Sequence, residues 1–139
     1  MAKQWKTIEH TADVGLAAHA DSLAELFEAL GEGLAEQICP RRSVESTDSK
    51  IISAQAENVE FLAIEFLSKL LGLFHLDKFL IAQVRVEQIT ECSVRAELAG
   101  QAYDPAGHEL GGEIKAVTYH QLQIARRGDK WRGQVILDT

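Results

Sequence analysis

The 139-residue chain is long enough for one domain with one core and too short for two comfortable ones. Apolar residues make up 46% and charged residues 25%, an ordinary globular composition, and no apolar run approaches the roughly 20 residues of a membrane span. A formal charge of −7 is a poor match to phosphate backbones, so the chain is expected to contact RNA only indirectly and to suit a basic protein partner or a cation. The first six residues, MAKQWK, lack the apolar stretch of a secretory signal, which predicts a cytoplasmic protein with free thiols at Cys39 and Cys92. Neither cysteine belongs to a CxxC or Cys/His cluster, and both read as small hydrophobes.

Residues 1–20 read as extended, with a turn signal near Ala12-Asp13 and a short alternating stretch over Val14, Leu16 and Ala18. Ser22 opens a helix, because Ser22-Leu23-Ala24-Glu25 fits a capping box. Leu23, Leu26, Phe27, Leu30 and Leu34 follow as one apolar stripe, and Pro40 ends the helix. Residues 41–50 are polar and predict a surface loop, followed by a short strand over 51–56. A second helix is expected over 58–74, apolar on so much of its surface that it must be largely buried or lend one flank to a partner.

The remainder reads as β-structure. Residues 80–87 and 92–98 alternate with a short gap between them, the pattern of a hairpin. A glycine-rich stretch over 100–112 leads to a strand over 113–125, and Arg127-Gly128-Asp129 turns the chain into a last strand over 131–138. In the cytoplasm that tripeptide is a hairpin turn, not an adhesion motif. Two helices and several antiparallel strands predict a two-layer α+β domain spanning residues 1–139, its helices packed on one face of a mostly antiparallel sheet.

Three segments stand apart from the core pattern: His10-Thr11-Ala12-Asp13-Val14-Gly15, then Glu113-Ile114-Lys115-Ala116-Val117-Thr118-Tyr119-His120, then Val135-Ile136-Leu137-Asp138-Thr139. On a regular strand Glu113, Lys115, Val117 and Tyr119 would share one face, and Ile114, Ala116, Thr118 and His120 the other. Charged residues at such positions are usually solvent-facing. The last segment concentrates negative charge at its end, and carboxylate and carbonyl oxygens are what hard cations require. Spacing alone brings Asp13 no nearer to Asp138. Walker, GxSxG and HExxH motifs are absent, and the five histidines show no metal-ligand spacing.

With Leu-Ala-Glu-Leu-Phe-Glu at 23–28, these segments in this order resemble the archease family over nearly the whole chain. The resemblance implies a non-catalytic activator of an RtcB-type RNA ligase, promoting guanylylation of the ligase and repeated turnover in tRNA splicing and RNA repair. It implies a divalent-cation site, Ca²⁺ in vitro with Mg²⁺ or Mn²⁺ as alternatives, on Asp13, Asp138 and the backbone oxygens of Thr139. Lys115 and Glu113 are the next functional candidates, followed by His10 and His120. The competing readings are a general chaperone or modulator of RNA-modifying enzymes, and a small metal-dependent hydrolase.

Overall fold

The computed structural model describes residues 3–9 and 13–139. Two antiparallel strands, β1 (Gln4–Glu9) and β2 (Asp13–Ala20), precede helix α1 (Leu23–Ile38). A 3-10 turn over Arg41–Ser43 leads to β3 (Asp48–Gln55) and helix α2 (Val59–Asp77). Strands β4 (Phe79–Ile89), β5 (Ser93–Ala102), β6 (Ala116–Arg127) and β7 (Lys130–Asp138) complete the chain. The α+β class and the antiparallel pairing agree with expectation, but the strands form two sheets, β1-β2-β7-β6 and β3-β5-β4, instead of one. Among the described residues no helix is long and apolar enough to cross a membrane.

The second sheet explains why α1 is buried far beyond its predicted stripe. The helix touches β1, β2 and β7 of one sheet and β4 of the other, so Ala29, Gly31, Glu32 and Gly33 are enclosed along with Leu26, Phe27, Leu30 and Leu34. Phe27 meets Phe66 of α2 with ring centroids 5.3 Å apart, at the centre of one continuous core. Helix α2 likewise touches both sheets and buries most of its apolar residues, leaving Phe61 and Leu76 exposed.

Local chemistry sets the helix ends. The Ser22 hydroxyl oxygen accepts a hydrogen bond from the Glu25 amide at 3.2 Å, as a capping box requires. The Glu25 carboxylate reaches back to the Ser22 hydroxyl at 3.0 Å. Asn58 caps α2 by accepting from the Phe61 amide at 2.9 Å, and α2 ends on Lys78 in the left-handed region at φ 53°. The Arg-Gly-Asp segment is the β6–β7 hairpin turn, with Gly128 at φ +63°.

Strand β4 is one of the two edges of its sheet, and side chains from α1 and the turn after it close that edge. The Val86 amide donates to Glu28 Oε2 at 2.9 Å and the buried Val84 amide donates to Glu32 Oε2 at 3.2 Å. Arg41 Nε donates to the Ala82 carbonyl at 2.8 Å, and its guanidinium lies 3.6 Å from Glu32. Lys3 approaches the same pair, 3.1 Å from Glu28 and 3.6 Å from Glu32. An open edge is a template for unwanted pairing, and this row of charge-assisted bonds occupies it.

Two readings of the sequence need correction. Cys39 is buried as expected, but Cys92 is exposed, because β5 begins one residue later and Cys92 falls in the hairpin turn. The polar segment 41–50 is not all loop, since β3 starts at Asp48.

Candidate functional site

Antiparallel pairing brings the first residue of β2 to the last residue of β7: Asp13 is the direct cross-strand partner of Asp138. On the other side of β7, Asp138 is in register with Ala116, the first residue of β6. Their inner neighbours Val14, Val117 and Leu137 pack into the core. By strand alternation Asp13, Asp138 and Ala116 therefore share the opposite face of the sheet. Directly opposite residues have Cβ atoms roughly 4.5–5.5 Å apart, close enough for both carboxylates to reach one ion. Asp13 is half-buried, while Asp138 and Thr139 are exposed.

The segment carrying Glu113 and Lys115 reaches this place as a pinned loop, not as the predicted strand. Strand β6 begins only at Ala116. Before it, the Tyr103 amide donates to Lys78 O at 2.7 Å, and buried His108 links the Asp104 amide at 2.9 Å to Gln101 Oε1 at 3.0 Å. The Gly111 amide then donates to Ile38 O at 2.8 Å, which satisfies a carbonyl at the end of α1. A Cβ at Gly111 would lie 2.4 Å from Gln37 O, so only glycine allows this approach. His75 Nε2 lies 2.9 Å from Ile114 O, and the Lys115 amide donates to Asp138 O at 2.7 Å. Lys115 is thereby tied through its backbone to the aspartate strand while its side chain stays exposed.

The predicted face alternation over 113–120 holds only for Ala116–Thr118. Ile114 is buried in the loop, and the β6–β7 register slips between Thr118 and Gln123. The intervening residues bulge out, with Gln121 at φ 54°. The Gln134 side-chain amide holds the bulge by donating to Gln121 O at 3.0 Å. His120 sits on this bulge, exposed, its amide donating to Thr118 Oγ1 at 3.3 Å. The fold thus assembles Asp13, Asp138, Thr139 and the Lys115 backbone at one sheet end. Glu113 and His120 are carried on the irregular segments flanking Ala116–Thr118, outside the aspartates' register. His10 lies outside the described residues.

The donor set has the oxygen chemistry of a hard-cation site. Among the described residues, however, no three His, Cys, Asp or Glu side chains cluster tightly enough to hold a metal. Two carboxylates and nearby backbone oxygens are therefore the oxygen donors that this sheet end brings together. Sequence reasoning missed His75, His108 and Gly111, which position the loop. Their signal was weak, since each lies outside the three distinctive segments.

The Archease protein family (MTH1598/TM1083) model matches residues 5–139. The chain is 34% identical to the protein archease of Methanosarcina acetivorans, with 98% of this chain and 96% of that protein aligned. It is also 34% identical to the protein archease of Pyrococcus furiosus, over 98% and 99% of the two chains. Its fold is similar to the solution structure of Methanobacterium thermoautotrophicum protein 1598, with a TM-score of 0.80 and 25% identity over 97% of this chain and 98% of that one. A Thermotoga maritima crystal structure described as an archease and possible chaperone gives a TM-score of 0.69 at 26% identity, over 96% of each chain. The chain belongs to the archease family.

Proposed function

We propose that the protein is a non-catalytic activator of an RtcB-type RNA ligase, and that it acts through the sheet end bearing Asp13 and Asp138. The observation that carries this reading is the in-register pairing of Asp13 with Asp138, beside a Lys115 backbone bonded to the same strand. Guanylylation of a histidine is a phosphoryl-type transfer, which depends on positioning and on neutralising charge. A hard divalent cation held by Asp13, Asp138 and the Thr139 backbone oxygens would supply charge neutralisation of that kind. The chain's own part is to fix the two carboxylates through strand pairing and to hold the Lys115 backbone on the same strand, its side chain exposed. Among the described residues Lys115 forms no salt bridge, which leaves its charge available to a phosphate.

Titrating the protein into guanylylation assays of the ligase from the same cell tests the proposal. Faster guanylylation and more turnovers per ligase are expected. Equal stimulation of unrelated RNA-modifying enzymes would favour the chaperone reading, which the description of the Thermotoga maritima relative as a possible chaperone suggests. Absence of any stimulation would reject the activator role.

A further inference from the structure

The outer face of the β1-β2-β7-β6 sheet changes character along its strands. At one end stand Asp13 and Asp138, and next to them the buried Ile136 packs beside Gly15. Beyond that row the face opens into a groove of about 1010 Å³. Its charged lining comprises Lys6, His19, Arg127 and Arg132, with Glu60 of α2 as the one carboxylate. His19 and Arg132 are direct cross-strand partners. Ala17 and Ala125 in the lining keep part of the floor low, while Gln123 and Gln134, a cross-strand pair, add amides.

Lys6, Arg127 and Arg132 are exposed, and among the described residues none of them forms a salt bridge. Five cations elsewhere are paired: Lys3 and Arg41 meet Glu32, Arg85 and Arg95 meet Glu87, and Lys130 meets Asp21. In a chain of charge −7, three cations gathered in one groove lining against a single carboxylate form a local positive field that the net charge conceals.

An aromatic pair adjoins the groove. Leu122 and Glu60 line it, and the chain next to them carries Tyr119 on the β6 bulge and Phe61 on α2. The two rings meet edge to face with centroids 5.5 Å apart, yet Tyr119 is 58% and Phe61 42% exposed. A cationic track with exposed aromatic rings and amide donors beside it matches the chemistry of a single strand of nucleic acid, whose phosphates need cations and whose bases stack on rings. An acidic peptide would use the cations alone.

We infer that this groove binds single-stranded nucleic acid, with phosphates on Lys6, Arg127 and Arg132 and a base stacked at Tyr119. The inference stands apart from the proposed ligase activation, because its test contains no ligase. Anisotropy of a labelled 12-nucleotide oligouridine is expected to report a Kd in the range of about 1–100 μM near physiological salt. Three phosphate contacts predict that affinity falls about 20-fold between 50 and 200 mM salt. Lys6→Glu with Arg132→Glu should weaken binding at least about tenfold and flatten the salt dependence. Tyr119→Ala should weaken it about tenfold while leaving the salt dependence unchanged. Arg42→Glu with Lys69→Glu, the same charge change at exposed positions outside the groove lining, should bind as wild type does. Absence of wild-type binding overturns the inference, as does equal loss in the Arg42/Lys69 variant. Displacement of the RNA by an equally long poly-glutamate peptide at equal or lower concentration would assign the groove to an acidic protein segment instead. Should the Lys6/Arg132 variant fail to fold, the wild-type salt dependence and Tyr119→Ala decide the matter alone.

Discussion

Asp13 and Asp138 stand directly opposite each other on neighbouring antiparallel strands, with their side chains on the same face of the sheet. Like charges placed so are destabilising, a cost that a ligand of opposite charge can reverse. Asp13→Asn removes this like-charge pair, so its stability relative to wild type is expected to fall when divalent cation is added. With Ca²⁺ at about a hundredfold excess over its dissociation constant, wild type should gain about 2.7 kcal/mol and the variant far less. Thermal melts with and without Ca²⁺, Mg²⁺ or Mn²⁺ read both effects, and calorimetry reads binding directly. Equal binding by wild type and the Asp13→Ala/Asp138→Ala variant would remove the site.

Lys115→Ala should fold normally and lose ligase stimulation. The side chain is exposed, while the hydrogen bond that anchors the segment uses the backbone amide, which alanine retains. The expected stability change is under about 1 kcal/mol by urea unfolding. A large loss of stability would make Lys115 structural, and full stimulation would make it irrelevant to activation.

Glu32 is a buried carboxylate that ties α1 to the edge of β4. Glu32→Ala leaves the buried Val84 amide without its acceptor and Arg41 without its carboxylate, and should cost about 2–4 kcal/mol in urea unfolding. Glu32→Gln keeps an acceptor for Val84 and should cost about half as much. Equal losses in the two variants would show that charge, not the Val84 bond, holds the edge of β4.

The difference between what the sequence disclosed and what it hid is physical. Helix caps at Ser22 and the Arg-Gly-Asp turn rest on interactions between near neighbours, so they were legible. The hairpin of β4 and β5 was legible for the same reason, apart from the exposure of Cys92. Division into two sheets was not, because the apolar stripe of α1 reads the same whether one sheet or two lie against it. Glu32 shows the limit: a glutamate on a helix reads as solvated until a strand edge 52 residues away supplies amides to it. The aspartate pair was named through family resemblance, since nothing in spacing relates residues 125 positions apart in sequence. Over 113–120 strand alternation misled, because the loop before Ala116 and the bulge after Thr118 both interrupt the period of two.

On the function proposed above, the Asp13–Asp138 end of the sheet accelerates ligase guanylylation by presenting a cation. The most direct measurement is the single-turnover guanylylation rate of the ligase at limiting metal, with wild type, Asp138→Ala or no added protein. Wild type is expected to accelerate the reaction, Asp138→Ala is not, and excess Mn²⁺ should partly restore the variant. Acceleration by Asp138→Ala equal to that of wild type at limiting metal would contradict the proposal.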